Sequence, residues 1–104
     1  MSETLTLVTC RDVRQARRIA RALVVERLAA CVNVVPGVAS IYRWKGKVEE
    51  AREALLLVKS TSARARRLEA RVKALHTYEV PEVVTLKIDG GGADYLRWLR
   101  ENAR

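Results

Sequence analysis

A chain of 104 residues is expected to form one domain, 1–104, and 49% of its residues are hydrophobic, which is enough for a core. Because Phe is absent and Trp and Tyr are few, that core must consist of Val, Leu, Ile and Ala. The two cysteines are too few for a disulfide framework or a zinc module, and no segment has the length of a membrane span or the pattern of a signal peptide. These features predict a cytoplasmic protein without membrane contact, and the net charge of +8 is compatible with anionic partners such as nucleic acid.

The first strand and helix are predicted over residues 4–27. Residues 4–10 are rich in β-branched and apolar side chains, which favours a strand, and Cys10 and Cys31 are both expected to be buried, reduced thiols. Asp12 stands at a helix N-cap position with Gln15 three residues later, close to a capping-box pattern. The apolar residues that follow recur at spacings of three and four, as on the buried face of a helix: Val13, Ala16, Ile19, Ala20 and Leu23.

A long β-hairpin is predicted next. Residues 28–35 begin a strand that bends at Pro36-Gly37 rather than ending there, since proline lacks an N–H for the sheet. The arms, 31–44 and 47–59, meet at a tight turn at Lys45-Gly46. About thirteen extended residues reach about 43 Å, whereas a domain of this size has a radius of gyration of about 13 Å. The hairpin tip is therefore expected to extend beyond the body and to be covered by other copies of the chain.

The second half of the chain repeats the strand and helix pattern. Thr61 and Ser62 are candidate caps for a helix that runs to Leu75. A loop, a strand and a terminal helix are then predicted over 76–82, 83–88 and 93–102. The order β-α-β-β-α-β plus a helix predicts a ferredoxin-like α+β fold with an extended hairpin and a C-terminal helix.

Several segments, in matching order along nearly the whole chain, resemble the CutA family of divalent-cation tolerance proteins. The loop His76-Thr-Tyr-Glu-Val-Pro-Glu82 is similar to the family's His-Pro-Tyr-x-x-Pro-Glu signature, with Thr77 in place of the usual proline. The other segments that carry the resemblance are 26–33, 35–37, 40–46, 55–59 and 95–99.

The resemblance implies a homotrimer whose hairpins extend the sheets of neighbouring subunits. It also implies a role in tolerance of copper or another divalent cation. From the few candidate ligands in this sequence we expect the cation to bind weakly and not to be required for folding, and from the absence of a catalytic constellation we expect no enzymatic activity. A fold related to the PII-type regulatory trimers is implied as well. One alternative function is therefore the sensing of a small-molecule effector in a cleft between subunits.

The candidate metal ligands are His76, Glu82 and Cys10. His76, the single histidine, matches the family's loop histidine, and imidazole is a good ligand for copper or zinc. The family's strand-one cysteine aligns with Val8, two residues before Cys10, so that Cys10 lies on the same face of the strand without being the matching residue. The alternative, which the sequence favours, is a histidine that hydrogen-bonds the loop after the second helix.

A second group of residues is expected to line a ligand cleft. Tyr42 and Trp44 lie two apart on one strand and so share a face. In a trimer they could meet Lys59, Tyr78 and Glu79 at a cleft with an apolar wall and a few polar groups, as small-ligand pockets have. The alternative for the aromatic residues is packing in the subunit interface, where Trp and Tyr are enriched.

The remaining charged groups favour simple explanations. Three nearby carboxylates in the return strand are expected to be solvated or paired with arginines of a neighbouring subunit: Glu49, Glu50 and Glu53. Three arginines at helical spacing, which a nucleic-acid-binding alternative would use on phosphates, are expected to be a solvated helix face: Arg64, Arg67 and Arg71. The sequence contains none of the nucleophile, phosphate-binding or zinc-protease motifs that would indicate an enzyme.

Overall fold

The computed structural model of the protein describes residues 2–104 and has the predicted ferredoxin-like arrangement. Its strands form one antiparallel sheet in the order β2-β3-β1-β4. The elements are β1 (Glu3–Cys10), α1 (Val13–Val25), β2 (Cys31–Trp44), β3 (Lys47–Thr61), α2 (Ala65–Leu75), β4 (Val84–Lys87) and α3 (Ala93–Asn102).

One face of the sheet carries the main core. Side chains of β1 alternate between buried and half-buried, as expected for a strand with one covered face. The covered face packs against α1 and α2 in a single apolar cluster, which includes Val8, Cys10, Ile19, Leu23, Leu56, Val58, Leu68 and Val72. Leu99 of α3 forms a smaller cluster with Ala30, Ala103 and Ile88. The opposite face is only partly covered, since Val84 and Leu86 remain nearly half exposed.

The hairpin matches its prediction closely. The strand β2 continues through Pro36-Gly37 with a register shift between Val35 and Val38, and Gly37 adopts a φ of +68° that favours glycine. Lys45 and Gly46 both have positive φ, as the two central residues of a type I′ turn require. These local signals were sufficient because a bulge and a two-residue turn are each set by a few adjacent residues.

The hairpin tip extends beyond the rest of the sheet, as predicted. Pairing of β1 with β3 stops at Cys10 and Ala54, so residues 47–53 of β3 pair with β2 alone. The molecule is correspondingly elongated, with principal extents of 43 × 25 × 22 Å. Within residues 2–104, the edge of β3 that faces away from β2 is therefore unpaired at the hairpin tip.

Four local predictions need correction. The second strand begins at Cys31 rather than at residue 28, because α1 ends in a turn with Arg27 at a φ of 60° and residues 28–30 are buried in the connection. The strand β4 is shorter than predicted, at Val84–Lys87. Cys31 is half-buried rather than buried, while Cys10 is fully buried.

The fourth correction concerns the start of α2. A short 3-10 turn, Ser62–Arg64, precedes the helix, and Thr61 makes no side-chain capping hydrogen bond. By contrast, Asp12 caps α1 as predicted, because its Oδ1 accepts the Gln15 backbone N–H at 2.8 Å. The capping box is modified, since Gln15 Oε1 accepts the N–H of Arg11 rather than that of Asp12.

Candidate functional site

A groove of about 830 Å³ lies between the overhanging hairpin and the loop 76–82. We call it the hairpin groove. Five of the residues proposed from the sequence line it: Tyr42, Trp44, Tyr78, Glu79 and Glu82. The aromatic residues of the hairpin come from one arm at alternate positions, so the strand period of two directs both rings to the same side.

Three hydrogen bonds from consecutive residues hold the loop against different parts of the fold. Thr77, which replaces the family proline, accepts a hydrogen bond from Gln15 Nε2 of α1 at 2.7 Å. The His76 ring contacts the carbonyl oxygen of Thr9 at the end of β1, and the Tyr78 hydroxyl donates to Glu53 Oε2 of β3 at 2.6 Å. The loop is thereby fixed as one wall of the groove.

His76 uses both ring nitrogens inside the chain. Its Nδ1 accepts the Tyr78 backbone N–H at 3.1 Å, and its Nε2 lies 2.7 Å from the Thr9 carbonyl oxygen. The carbonyl can only accept, so Nε2 donates to it, while the Nδ1 lone pair accepts the Tyr78 N–H. His76 is 9% exposed and stands behind the groove wall. This geometry is that of a histidine that orders the loop, and a metal ion would have to displace the Tyr78 N–H to reach Nδ1.

Cys10 points into the same core as Val8, as the alternation of β1 predicts, and both side chains are fully buried. Burial raises the pKa of the Cys10 thiol to about 12, and the negative charges of Glu53 and Asp12 act in the same direction. A thiol must be deprotonated to bind a metal, so the folded chain disfavours Cys10 as a ligand. No three His, Cys, Asp or Glu side chains within residues 2–104 converge into a metal-binding group.

Glu53 is the site residue that sequence analysis did not identify. Glu49 and Glu50 are exposed, whereas Glu53 is 8% exposed and lines the groove, so Glu53 is not a solvated carboxylate within one chain. Pairing of these carboxylates with arginines of a neighbouring subunit stays a prediction. Burial raises the pKa of Tyr78 well above its usual value, and the hydrogen bond to Glu53 and the Glu53 charge add to the effect. The sequence carries no signal for this pair, since its members lie in a strand and in a distant loop.

Lys59 is not part of the groove within one subunit. It lies opposite Leu5 and Cys31 in the sheet register, and its Nζ donates to Asn33 Oδ1. Lys59 lies six positions along the strand from Glu53, or about 20 Å at 3.3 Å per residue. A contact between Lys59 and the groove would therefore require a neighbouring subunit.

Two of the three arginines at helical spacing, Arg64 and Arg71, are engaged within the chain rather than solvated. Arg71 forms a two-point ion pair with Glu26, with Nη2 and Oε2 separated by 2.9 Å. Arg64 donates to the Ala103 carbonyl oxygen at 3.4 Å, while Arg67 is exposed. No helix between residues 2 and 104 is long and apolar enough to cross a membrane.

Comparison with known proteins gives one consistent result. Residues 4–102 match the family model described as CutA1 divalent ion tolerance protein. The divalent-cation tolerance protein CutA of Thermus thermophilus is 58% identical over 100 residues, which cover 96% of this chain and 97% of that protein. A solved structure of the Thermus thermophilus protein superposes with a TM-score of 0.96 at 57% identity, covering 98% of this chain and 99% of that one.

Eukaryotic relatives match over a smaller share of their length. Protein CutA of Homo sapiens is 45% identical over 96% of this chain, and the chloroplastic Protein CutA 1 of Oryza sativa is 44% identical over 93%. The chain spans 56% and 55% of these two proteins.

Proposed function

The chain belongs to the CutA1 divalent ion tolerance protein family, and on that premise we propose that it is a cytoplasmic homotrimeric binding protein, not an enzyme, that contributes to tolerance of divalent cations such as copper. The family relationship favours this role over the effector-sensing and nucleic-acid-binding alternatives. The overhanging hairpin is the observation that carries the assembly on which the proposal rests.

An isolated subunit leaves apolar surface at the hairpin tip. Ile41 and Val48 are 68% and 64% exposed on the two arms, and no strand formed by residues 2–104 lies beside the outer edge of β2. Unpaired edges with exposed apolar side chains pair readily with another chain. A neighbouring subunit that docks here would cover both features, and three such contacts close a ring without leaving a free edge.

Light scattering on the purified protein tests the assembly. The expected mass is three times 11.7 kDa at micromolar concentration, and the double substitution Ile41→Glu and Val48→Glu should lower it. Val25→Glu on α1 is the matched control, because Val25 is 71% exposed and lies outside the hairpin. A wild-type mass of a single chain would refute the proposal.

The cation is expected to bind weakly at the mouth of the hairpin groove. Glu79 and Glu82 are exposed there and offer oxygen ligands. His76 would join them only after releasing the Tyr78 N–H, and Cys10 only as a thiolate. Such a donor set supports weak, exchangeable binding.

Calorimetric titration with copper(II) tests the cation role. Glu82→Gln and His76→Ala should each weaken binding, and Glu50→Gln, an equivalent change on the same hairpin outside the groove lining, should not. Equal weakening by Glu50→Gln would show attraction to surface charge in general. Absence of saturable binding by the wild type would refute a direct cation role.

A further inference from the structure

The hairpin groove has a local charge opposite to that of the protein. Its lining includes the carboxylates of Glu53, Glu79 and Glu82 and one cation, Lys45. The chain as a whole carries a net charge of +8. A cleft of one sign lined by apolar walls concentrates ligands of the opposite sign, so this groove selects cations although most of the protein surface repels them.

Glu53 is the group in the groove that most needs a cationic partner. Its side chain is more than nine-tenths buried, and the Tyr78 hydroxyl bonds only one of its two oxygens. Arg11 and Arg52 border a smaller pocket beside it, but no Lys, Arg or His nitrogen within residues 2–104 lies within 4.0 Å of its carboxylate. Removing a carboxylate from water without a counter-charge is costly, and Glu53 Oε1 remains available to a donor that enters the groove.

Aromatic rings form the wall on the hairpin side. Tyr42 and Trp44 are 43% and 39% exposed, which leaves their faces accessible. The Lys45 ammonium lies 5.6 Å from the Trp44 ring centroid, within the range of a cation–π contact. This contact indicates that the ring attracts an ammonium group on an alkyl chain, and the Lys45 side chain is exposed and can yield the ring to a ligand.

We propose that the hairpin groove binds a free alkyl diamine. One ammonium group donates to Glu53, the alkyl chain packs along Tyr42 and Trp44, and the second ammonium group meets Glu79 and Glu82 at the mouth. A hydrated metal ion needs the carboxylates but gains little from the aromatic wall, whereas an organic ammonium ion uses both. This inference goes beyond the proposed tolerance of divalent cations and does not depend on a bound metal.

Titration calorimetry with 1,5-diaminopentane tests the proposal. The measurement uses the full chain in its solution assembly, with EDTA present to remove metal. Pentylamine should bind more weakly than the diamine, and 1-pentanol, which has the alkyl chain without the charge, should not bind measurably. Glu53→Gln, which keeps the size of the side chain and an acceptor for Tyr78, should weaken diamine binding about tenfold or more.

Glu50→Gln is the matched control, and it should change the dissociation constant by less than about twofold. If Glu53→Gln does not fold, Glu79→Gln combined with Glu82→Gln alters only exposed side chains and should give the same weakening. No saturable binding up to about 10 mM diamine, equal binding of pentanol, or equal losses in the Glu53 and Glu50 variants would overturn the proposal. None of these outcomes affects the light-scattering mass or the copper titration that test the tolerance role.

Discussion

Replacing Tyr78 with Phe removes the hydroxyl group that donates to Glu53 Oε2 at 2.6 Å. The carboxylate that loses this bond is 8% exposed, so water can replace the donor only from the groove side. A hydrogen bond to a charged group is worth about 1.5–3 kcal/mol net, and partial access of water places this one near 2 kcal/mol. For a domain of this size, such a loss lowers Tm by roughly 10 °C.

Thermal unfolding followed by circular dichroism, at one fixed protein concentration, measures the effect. Tyr42→Phe is the control, because it removes a hydroxyl that has no hydrogen-bond partner within residues 2–104 from the same groove. Its change should stay within about 0.5 kcal/mol. Two results would refute the idea that the hydrogen bond from Tyr78 to Glu53 fixes the loop: an equal decrease in Tm for the two variants, or a decrease below about 2 °C for Tyr78→Phe.

The same bond predicts a pH dependence with a defined sign. The pKa of Tyr78 is raised in the folded state by burial and by Glu53. A raised folded pKa contributes stability that is fully present below the unfolded value of about 10 and is lost as pH rises through the folded pKa. The stability advantage of the wild type over Tyr78→Phe should therefore be constant from neutral pH to about 9 and should shrink above 10 in urea titrations.

Three further predictions concern the core, the thiols and the helix cap. Leu56→Ala should lower the free energy of unfolding in urea by about 3 kcal/mol, because Leu56 is fully buried in the main core. A decrease below about 1 kcal/mol would contradict that position. At pH 8, iodoacetamide should label the half-buried Cys31 faster than Cys10, because burial raises the pKa of the Cys10 thiol to about 12. Mass spectrometry measures the two labelling rates, and equal rates would contradict the burial of Cys10. The pKa of Asp12 is lowered in the folded protein, mainly by the hydrogen bond from the Gln15 N–H. The stability that this cap contributes should therefore be fully present above pH about 4 and should fall at more acidic pH in urea titrations. Asp12→Ala should abolish that part of the pH dependence.

The local elements of the fold could be predicted because their determinants are close together in the chain. Asp12 and Gln15 mark one helix start, and Lys45-Gly46 marks the hairpin turn. The prediction failed at residues 28–30, where apolar side chains that resemble a strand are buried in a turn. The predicted helix cap at Thr61 was also wrong. Its hydroxyl group is buried at the end of β3 and has no hydrogen-bond partner within residues 2–104.

The sequence by itself determined the order of the elements, the long hairpin and the residue types available for a site. Only the tertiary structure decided which of them meet. The strand β1 ends opposite Ala54, so the next residue, Glu53, pairs with β2 alone. On the side where β1 has ended, it bonds to Tyr78 of a loop that is distant in the sequence. The same packing engages both His76 nitrogens and leaves Lys59 far from the groove. These outcomes depend on strand register and on contacts between distant residues, which no local pattern encodes.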